Sequence, residues 1–346
     1  MPENSVSNPT ERRLSRRALL TAGAVLPAAA LIDGCAGDPI ERPTGVPVSP
    51  FGADSTAEEV TAGLDLRGRT ALVTGANSGL GQETMRVLAL RGARVIGTAR
   101  TLDKAQAACA AVAGETVPVA LELTDFDSVV ACAQTVQALG APLDMLICNA
   151  GVMEIPTLEQ VNGLEKHFVT NHLGHFLLTV RLLPQVQAAA QGRVVVVSSG
   201  SAYRDAPTAG IEFDNLSGVR GYEPRRAYGH SKLANVLFAR ALARRFAGTT
   251  STANSLQPGV IMTNLGRYLP WYQIVTAKLF GWAFMKSLPA GAATQAYVAT
   301  HPSLNAVTGE FFRDCNAIVP TGQLGNDAMA EQLWATSEAL TQRWLA

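Results

Sequence analysis

The sequence TGANSGLG, residues 74–81, follows a short apolar run and precedes a stretch with the apolar periodicity of a helix. Its glycines, spaced G-x-x-x-G-x-G, therefore lie in a turn between a strand and a helix. Gly75 permits a tight turn, Gly79 lets backbone N–H groups approach a pyrophosphate, and Gly81 allows the helix to pack closely. The stretch predicts a dinucleotide-binding turn, in which the expected cofactor-binding residues are Gly75, Asn77, Ser78, Gly79, Leu80 and Gly81.

The alternation of strand and helix continues along the chain. Apolar runs separated by segments of helical periodicity recur at 71–75, 93–99, 117–123, 143–151 and 193–199. Strands that are apolar throughout are buried on both faces, as in a parallel sheet between two helix layers. The pattern predicts a single α/β domain over residues 64–346, built on a doubly wound parallel sheet of the Rossmann type.

The composition argues against several classes of protein. The 346 residues include 28 Lys+Arg and 28 Asp+Glu, whereas a nucleic-acid-binding protein normally carries a basic excess. Hydrophobic residues make up 47% and charged residues 16%, which allows a large buried core. The five cysteines are widely spaced and contain no C-x-x-C pair, so we expect neither a disulfide framework nor a metal site.

Residues 1–35 have the features of a bacterial export signal. A basic segment with two consecutive arginines precedes the apolar run Ala18–Ile32, which is short for a membrane span, and small residues flank Cys35. We expect a twin-arginine-type signal that directs the protein to the cell envelope or periplasm. Cys35 after Gly34 also resembles a lipoprotein cleavage site, but Asp33 stands where a small residue is usual, so lipid anchoring is the less favoured option. The alternative is an uncleaved tail on a cytoplasmic protein. Residues 36–63, proline-rich in their first half, are expected to form a linker.

The end of the second predicted strand indicates which dinucleotide binds. An acidic residue there would hydrogen-bond the ribose hydroxyls of NAD, but this strand ends in Arg100 and the next acid is Asp103. An arginine at this position can pair with a 2′-phosphate. We therefore expect NADP(H) rather than NAD(H), with Arg100 as a cofactor-binding residue; the alternative is a solvated arginine at a helix start.

Tyr228 and Lys232 stand four residues apart in a predicted helix, so their side chains lie on one face. A phenol with a pKa of about 10 is a poor base at neutral pH, and a nearby ammonium favours its ionised form. Ser199 follows the fifth strand at its carboxyl end, where ligands bind in such sheets. Its hydroxyl can hold a carbonyl oxygen while Tyr228 supplies a proton, although Ser198 and Ser201 are alternatives.

In this order, the motifs resemble those of the short-chain dehydrogenases/reductases over about residues 66–345. More narrowly, the chain is similar to the branch that contains retinol dehydrogenases and WW-domain oxidoreductases. The stretches that carry the resemblance are TGANSGLG (74–81), NAG (149–151), TNHLGHF (170–176), YGHSKLANVLF (228–238), PGVIMTN (258–264) and GEFFRDC (309–315).

The resemblance implies an NADP(H)-dependent oxidoreductase. Tyr228 would be the acid/base, Lys232 would lower its pKa and hold the nicotinamide ribose, Ser199 would position the carbonyl, and Asn171 would sustain a water path to Lys232. Glu122 stands where the family usually has Asp. The remaining cofactor contacts implied are Glu122, Leu123, Asn149, Ala150 and Gly151 towards the adenosine, and Pro258, Gly259 and Thr263 towards the nicotinamide.

Residues 265–288 are rich in aromatic side chains and are expected to form a substrate lid. An apolar lid fits a lipophilic alcohol or carbonyl compound better than a sugar or a charged acid. Two alternatives are a contact between copies of the chain in a homo-oligomer and a face that rests on a membrane as a peripheral contact.

Two further functions compete with the oxidoreductase. One is a catalytically idle dinucleotide-binding module for interaction or redox sensing, against which the joint presence of Asn171, Ser199, Tyr228 and Lys232 argues. The other is a nucleotide-sugar epimerase, which also uses Y-x-x-x-K. Epimerases differ in glycine spacing and carry a sizeable C-terminal substrate domain that we do not expect here.

Overall fold

The computed structural model describes residues 41–261 and 285–345. Within them, eight strands form one sheet in the order β10-β9-β8-β7-β4-β1-β2-β3. All neighbours are parallel except β9 and β10. The strands are β1 (Thr70–Val73), β2 (Arg94–Ala99), β3 (Thr116–Ala120), β4 (Met145–Cys148), β7 (Arg193–Val197), β8 (Thr252–Gln257), β9 (Phe311–Arg313) and β10 (Asn316–Ile318), with the separate hairpin β5 (Gln160–Val161) and β6 (Leu164–Glu165).

Two helix layers cover the sheet and form a single domain with it. Helices α1 (Ala57–Val60), α2 (Gly79–Leu90), α3 (Leu102–Ala110) and α8 (Leu288–Thr300) share one apolar core with the sheet. Helices α4 (Phe126–Ala138), α5 (Gly174–Ala188), α7 (Pro224–Arg245) and α9 (Asp327–Leu345) share the other. Successive residues of β1 alternate between the cores, since Leu72 lies in the second and Val73 in the first. The predicted doubly wound sheet is confirmed.

The sheet brings the predicted functional segments to one edge. Strand order reverses between β1 and β4, and in such sheets ligands bind at the carboxyl ends of the strands beside this switch. The glycine turn follows β1, Asn149 follows β4, and Ser198 follows β7. Asn171 lies in a π-helical turn, Phe168–Leu173, that runs directly into α5.

The stretch between Ser199 and Tyr228 is largely irregular. It contains the short helix α6 (Ser201–Arg204) and a 3₁₀ turn at Phe213–Asn215. Helix α7 then begins at Pro224, where proline suits the first helical position, and the Glu223 carboxylate accepts hydrogen bonds from the N–H groups of Arg225 and Arg226. This start places Tyr228 in the second turn of the helix.

The prediction of a linker over 36–63 is wrong for the later part of that segment. Thr56 and Glu59 form a reciprocal capping box for α1, whose Ala57 and Val60 are buried against α2 and α8. Upstream, the Asn316 side chain accepts a hydrogen bond from Ser49 N and donates one to Phe51 O. A four-residue helix with only two buried positions leaves too little apolar periodicity to be recognised from the sequence.

The predicted export signal and Cys35 lie outside the described residues. Among the helices that the structure does describe, none is long and apolar enough to cross a bilayer.

Val60→Ala should lower the free energy of unfolding by about 2 kcal/mol, because it removes two buried methyl groups from the contact of α1 with the domain. Val48→Ala is the matched control, since Val48 is 63% exposed and its change should stay within about 0.5 kcal/mol. Urea unfolding of both variants measures the difference. Equal stabilities would show that α1 does not contribute to the domain.

Candidate functional site

The glycine turn between β1 and α2 forms a close-packed cradle. Gly75 and Gly79 have φ of +66° and +56°, which glycine adopts without strain. A Cβ on Gly81 would lie 2.3 Å from Gly75 O and 2.5 Å from Asn149 Nδ2, so no side chain fits there. Because the first N–H groups of a helix have no partners within it, the start of α2 at Gly79 can bind an anion.

A cleft of about 340 Å³ runs along this turn. It is wide enough for part of an extended nucleotide and is open to solvent at its rim. The predicted cofactor residues that line it are Gly75, Asn77, Ser78, Gly79, Leu80, Arg100, Glu122, Leu123, Asn149, Ala150 and Gly151. The structure therefore brings together residues from four different loops, as expected for a dinucleotide site, while Gly81 packs beneath the turn.

The carboxylate of Glu122 accepts hydrogen bonds from within its own loop. Its Oε1 accepts hydrogen bonds from Thr124 N at 3.1 Å and Thr124 Oγ1 at 2.8 Å. Glu122 thus shapes the wall of the cleft at the position where the family usually has Asp. Arg100, by contrast, is exposed and lines the same cleft just after β2.

The residues that line the cleft but were not predicted from the sequence are Thr98, Ala99, Leu121, Thr124, Val152, Lys166 and Thr170. Thr170 and Lys166 lie one turn apart and both face the cleft. Lys166 also pairs with Glu159 at 2.6 Å. The signal was present in the sequence, since Thr170 opens the motif TNHLGHF one residue before Asn171.

Tyr228 and Lys232 are both buried, at 4% and 3% exposure. The Lys232 ammonium lies 5.8 Å from the centroid of the Tyr228 ring and donates a hydrogen bond to Val197 O at 3.0 Å. Helical spacing thus places the two side chains together at the carboxyl end of β7, as predicted.

The structure distinguishes the three candidate serines. Ser199 is the one of the three whose side chain interacts with the Tyr228 hydroxyl, and this interaction acts to lower the pKa of the phenol. Ser198 instead donates to the Lys232 carbonyl at 2.7 Å, which fixes α7 against β7. Ser201 begins α6, and its N–H donates to Ser199 Oγ at 3.2 Å. Ser199 is therefore the serine that reaches Tyr228.

Asn171 joins the cofactor cleft to the Tyr228 helix. Its Oδ1 accepts from Val152 N at 2.8 Å, and its Nδ2 donates to Val152 O at 3.0 Å and Ser231 Oγ at 2.9 Å. Between them lies Gly151, where a Cβ would be 3.0 Å from Asn171 Oδ1 and 3.6 Å from Lys232 Nζ. The inner end of the cleft therefore borders Lys232 directly.

Burial shifts the pKa values of the pair in opposite directions. Burial raises the pKa of Tyr228 to about 12, although Ser199 acts to lower it, and burial lowers the pKa of Lys232 to about 8. Desolvation of the phenolate is the largest cause of the raised pKa of Tyr228, and Lys232, which lies beside the ring and bonds Val197 O, is not among its causes.

Glu154, which is not among the cleft-lining residues, was also not predicted from the sequence. Its φ of +47° is strained for a non-glycine residue, and the next residue is held on both sides: Ile155 N donates to His167 Nε2 at 3.2 Å and Ile155 O accepts from Tyr222 at 2.5 Å. The negative charge of Glu154 contributes to the raised pKa of Tyr228. Burial raises the pKa of Glu154 itself.

The remaining predicted cofactor residues are those that are expected to contact the nicotinamide. Pro258 and Gly259 follow β8, and Gly259 has a φ of +95° with the aliphatic chain of Lys286 packed against it. Thr263 and the aromatic residues of the expected lid up to residue 284 lie outside the described residues.

In the part of the chain that is described, no three His, Cys, Asp or Glu side chains form a group suited to a metal ion.

Comparison with known proteins gives consistent matches. The model of the short chain dehydrogenase family matches residues 69–210. The chain is 40% identical over 299 residues to the short-chain dehydrogenase TIC 32 B, chloroplastic, of Brassica napus, covering 83% of this chain and 92% of that protein. It is 38% identical over 295 residues to human retinol dehydrogenase 14, covering 80% and 87%.

Solved structures agree with this result. An uncharacterized protein from Mycobacterium paratuberculosis superposes with a TM-score of 0.65 at 34% sequence identity, covering 82% of this chain and 97% of its own. A short chain dehydrogenase/reductase family protein superposes with a TM-score of 0.56 at 26% identity, covering 72% and 96%.

Glu154→Gln should lower the pKa of Tyr228, because it removes a negative charge that disfavours the phenolate. The phenolate would then form at lower pH than in the parent protein. Ultraviolet absorbance, measured as the difference between each protein and its Tyr228→Phe counterpart, follows this ionisation. Glu310→Gln is the control, since Glu310 is also a half-buried carboxylate with a raised pKa but lies next to Arg240. An unchanged midpoint in Glu154→Gln would contradict the assignment.

Proposed function

This chain belongs to the short-chain dehydrogenase family, and we propose that it transfers a hydride between NADP(H) and a lipophilic alcohol/carbonyl pair with Tyr228 as the acid/base. The coarser activity follows from the family and from its retinol dehydrogenase relatives: the protein is an NAD(P)-binding oxidoreductase that acts on CH–OH groups. The choice of NADP, the role of Tyr228 and the lipophilic substrate are the steps that we add.

One observation carries the proposal. The cleft that begins at the glycine turn ends at Gly151, within contact distance of Lys232 and Asn171, and Lys232 lies beside the Tyr228 ring. A dinucleotide seated with its pyrophosphate on α2 would therefore bring its far end close to Lys232 and Tyr228, the two groups of this set that can exchange a proton. The lack of room for a Cβ at Gly81 supports the fit of such a cofactor.

When bound, the cofactor supplies or accepts the hydride. The protein's part is to hold and move a proton. At neutral pH Tyr228 is un-ionised, because burial raises its pKa to about 12, so its hydroxyl can donate to a carbonyl oxygen that is being reduced. Ser199 orients that hydroxyl, and the Lys232 ammonium, held on Val197 O, stabilises the phenolate as it forms.

The substrate class rests on weaker support. The relatives named retinol dehydrogenases suggest a lipophilic alcohol, and the aromatic sequence 265–288 agrees with it. The direct test is a hydride-transfer assay with retinoid, steroid and aliphatic carbonyls and both reduced cofactors. The proposal requires NADPH-dependent reduction of at least one lipophilic carbonyl. Cofactor binding without turnover of any of them would favour the idle module instead.

Tyr228→Phe should reduce kcat by about 10²- to 10⁴-fold, because it removes the proton donor, while NADPH affinity changes little. Steady-state kinetics and fluorescence titration of NADPH measure the two effects. Tyr297→Phe is the control, since that buried hydroxyl contacts Ser303 on the far side of α8. Retention of full activity in Tyr228→Phe would refute its role as acid/base.

Arg100→Ala should weaken binding of NADPH by about 10- to 100-fold and leave NADH almost unaffected, because only NADPH offers a 2′-phosphate for a charge-assisted pair. Lys104→Ala removes a neighbouring exposed cation on α3 and should affect neither cofactor. Fluorescence titration with each cofactor gives the comparison. An equal loss for both cofactors in Arg100→Ala would exclude a specific phosphate contact.

A further inference from the structure

His175 is buried between the glycine turn and Asn171 and contacts a residue on each side. Its ring is fully buried on the first turn of α5. Nε2 lies 2.9 Å from Thr74 Oγ1, at the end of β1, and Nδ1 lies 3.0 Å from the main-chain oxygen of Asn171.

The hydrogen-bond partners determine where the protons lie. The Asn171 carbonyl can only accept, so His175 Nδ1 carries a hydrogen. The N–H groups of Asn149 and Ala150 each donate to Thr74 Oγ1 at 2.9 Å and use both of its lone pairs. The Thr74 hydroxyl can therefore only donate, and its nearer acceptor is Nε2 at 2.9 Å, with Ile147 O at 3.4 Å. With Nε2 as the acceptor, the imidazole is neutral. Burial, which lowers the pKa of His175 to about 4, is consistent with this state.

With these protons in place, the hydrogen bonds form a ring. From Thr74 Oγ1 it runs to the N–H groups of Asn149 and Ala150, and from there along the chain to Val152. The backbone of Val152 is hydrogen-bonded to the side chain of Asn171, which lies one helical turn before His175. Three members of the ring, Asn149, Ala150 and Val152, also line the cleft. Ala150 packs on Gly75, and Asn149 packs under Gly81. His175 is the residue that closes the ring.

We propose that His175 is a positioning residue, which couples the glycine turn to Asn171 through the neutral Nδ1–H tautomer. The inference rests on the proposed function, since the geometry it maintains is that of the cofactor cleft and of the Lys232 side. Without the imidazole, the Thr74 hydroxyl loses its acceptor at Nε2 and the Asn171 carbonyl loses the hydrogen bond from Nδ1. The cofactor cleft and the backbone between it and Lys232 then both become less rigid.

The test compares two buried histidines that lie three residues apart. His172 is also fully buried and neutral, with its pKa lowered to about 3, but its Nε2 contacts Ser337 on α9 and its ring packs on Phe168 and Phe238. His172→Leu therefore reports the cost of replacing a buried imidazole away from the cleft. His175→Leu removes the coupling as well.

We expect His175→Leu to weaken NADPH binding and to lower kcat by about tenfold each, with little change in KM for the carbonyl. His172→Leu should lower thermal stability to a similar extent and leave both quantities nearly unchanged. His175→Gln should restore most of both, because one amide can donate to the Asn171 carbonyl and accept from Thr74. Equal cofactor affinity in the two leucine variants, or no recovery in His175→Gln, would overturn the coupling.

A second measurement needs neither cofactor nor substrate. In the full chain labelled with ¹⁵N-histidine, the signals lost in His175→Leu identify its ring nitrogens. They should report a protonated Nδ1 and an unprotonated Nε2 throughout the neutral pH range. A protonated Nε2 would overturn the inference. If the tautomer is as stated but the parent protein binds neither NADPH nor NADH, the proposed function fails and the hydrogen-bond ring stands as a structural feature alone.

Discussion

Two loops meet where β1 and β4 end side by side, and the space between them admits no side chain. Gly75 O and Asn149 Nδ2 already occupy the volume that a Cβ of Gly81 would need. Asn149 Nδ2 is held there by Thr74 O at 2.8 Å. Because Gly151 and Val152 continue directly from this contact, it sets the distance between the anion-binding end of the cleft and Lys232.

The second determinant of the site is a buried ammonium. Lys232 has the Val197 carbonyl as a partner and is almost without solvent, so desolvation acts on its charge and on the phenolate of Tyr228 alike. Each group is therefore driven towards its neutral form, although one is an acid and the other a base. In the function that we propose, the phenol enters the reaction as a proton donor, and Lys232 lies beside the ring and on the backbone of β7.

The sequence predicted the sheet, the glycine turn and the Tyr228–Lys232 pair because each depends on neighbours close in the chain: apolar runs, glycine spacing and one helical turn. The serine that reaches Tyr228 could not be chosen, since Ser198 turns away to bond a carbonyl 34 residues later. His175 contacts Thr74 across 101 residues, and no local pattern contains that information. Glu154 was missed for a similar reason, because its backbone strain arises from the anchoring of Ile155 by His167 and Tyr222.

The fastening of residues 49–51 to Asn316 has a consequence for biosynthesis. The hydrogen bond from Ser49 N to the Asn316 side chain joins positions 267 residues apart, and Phe51 packs edge-on against Tyr297. A nascent chain exposes its N-terminal part long before residue 316 leaves the ribosome, so this closure cannot occur during most of translation. Burial of α1 and completion of the first core are therefore post-translational events, and the apolar face of α2 stays without its full cover until synthesis is nearly finished.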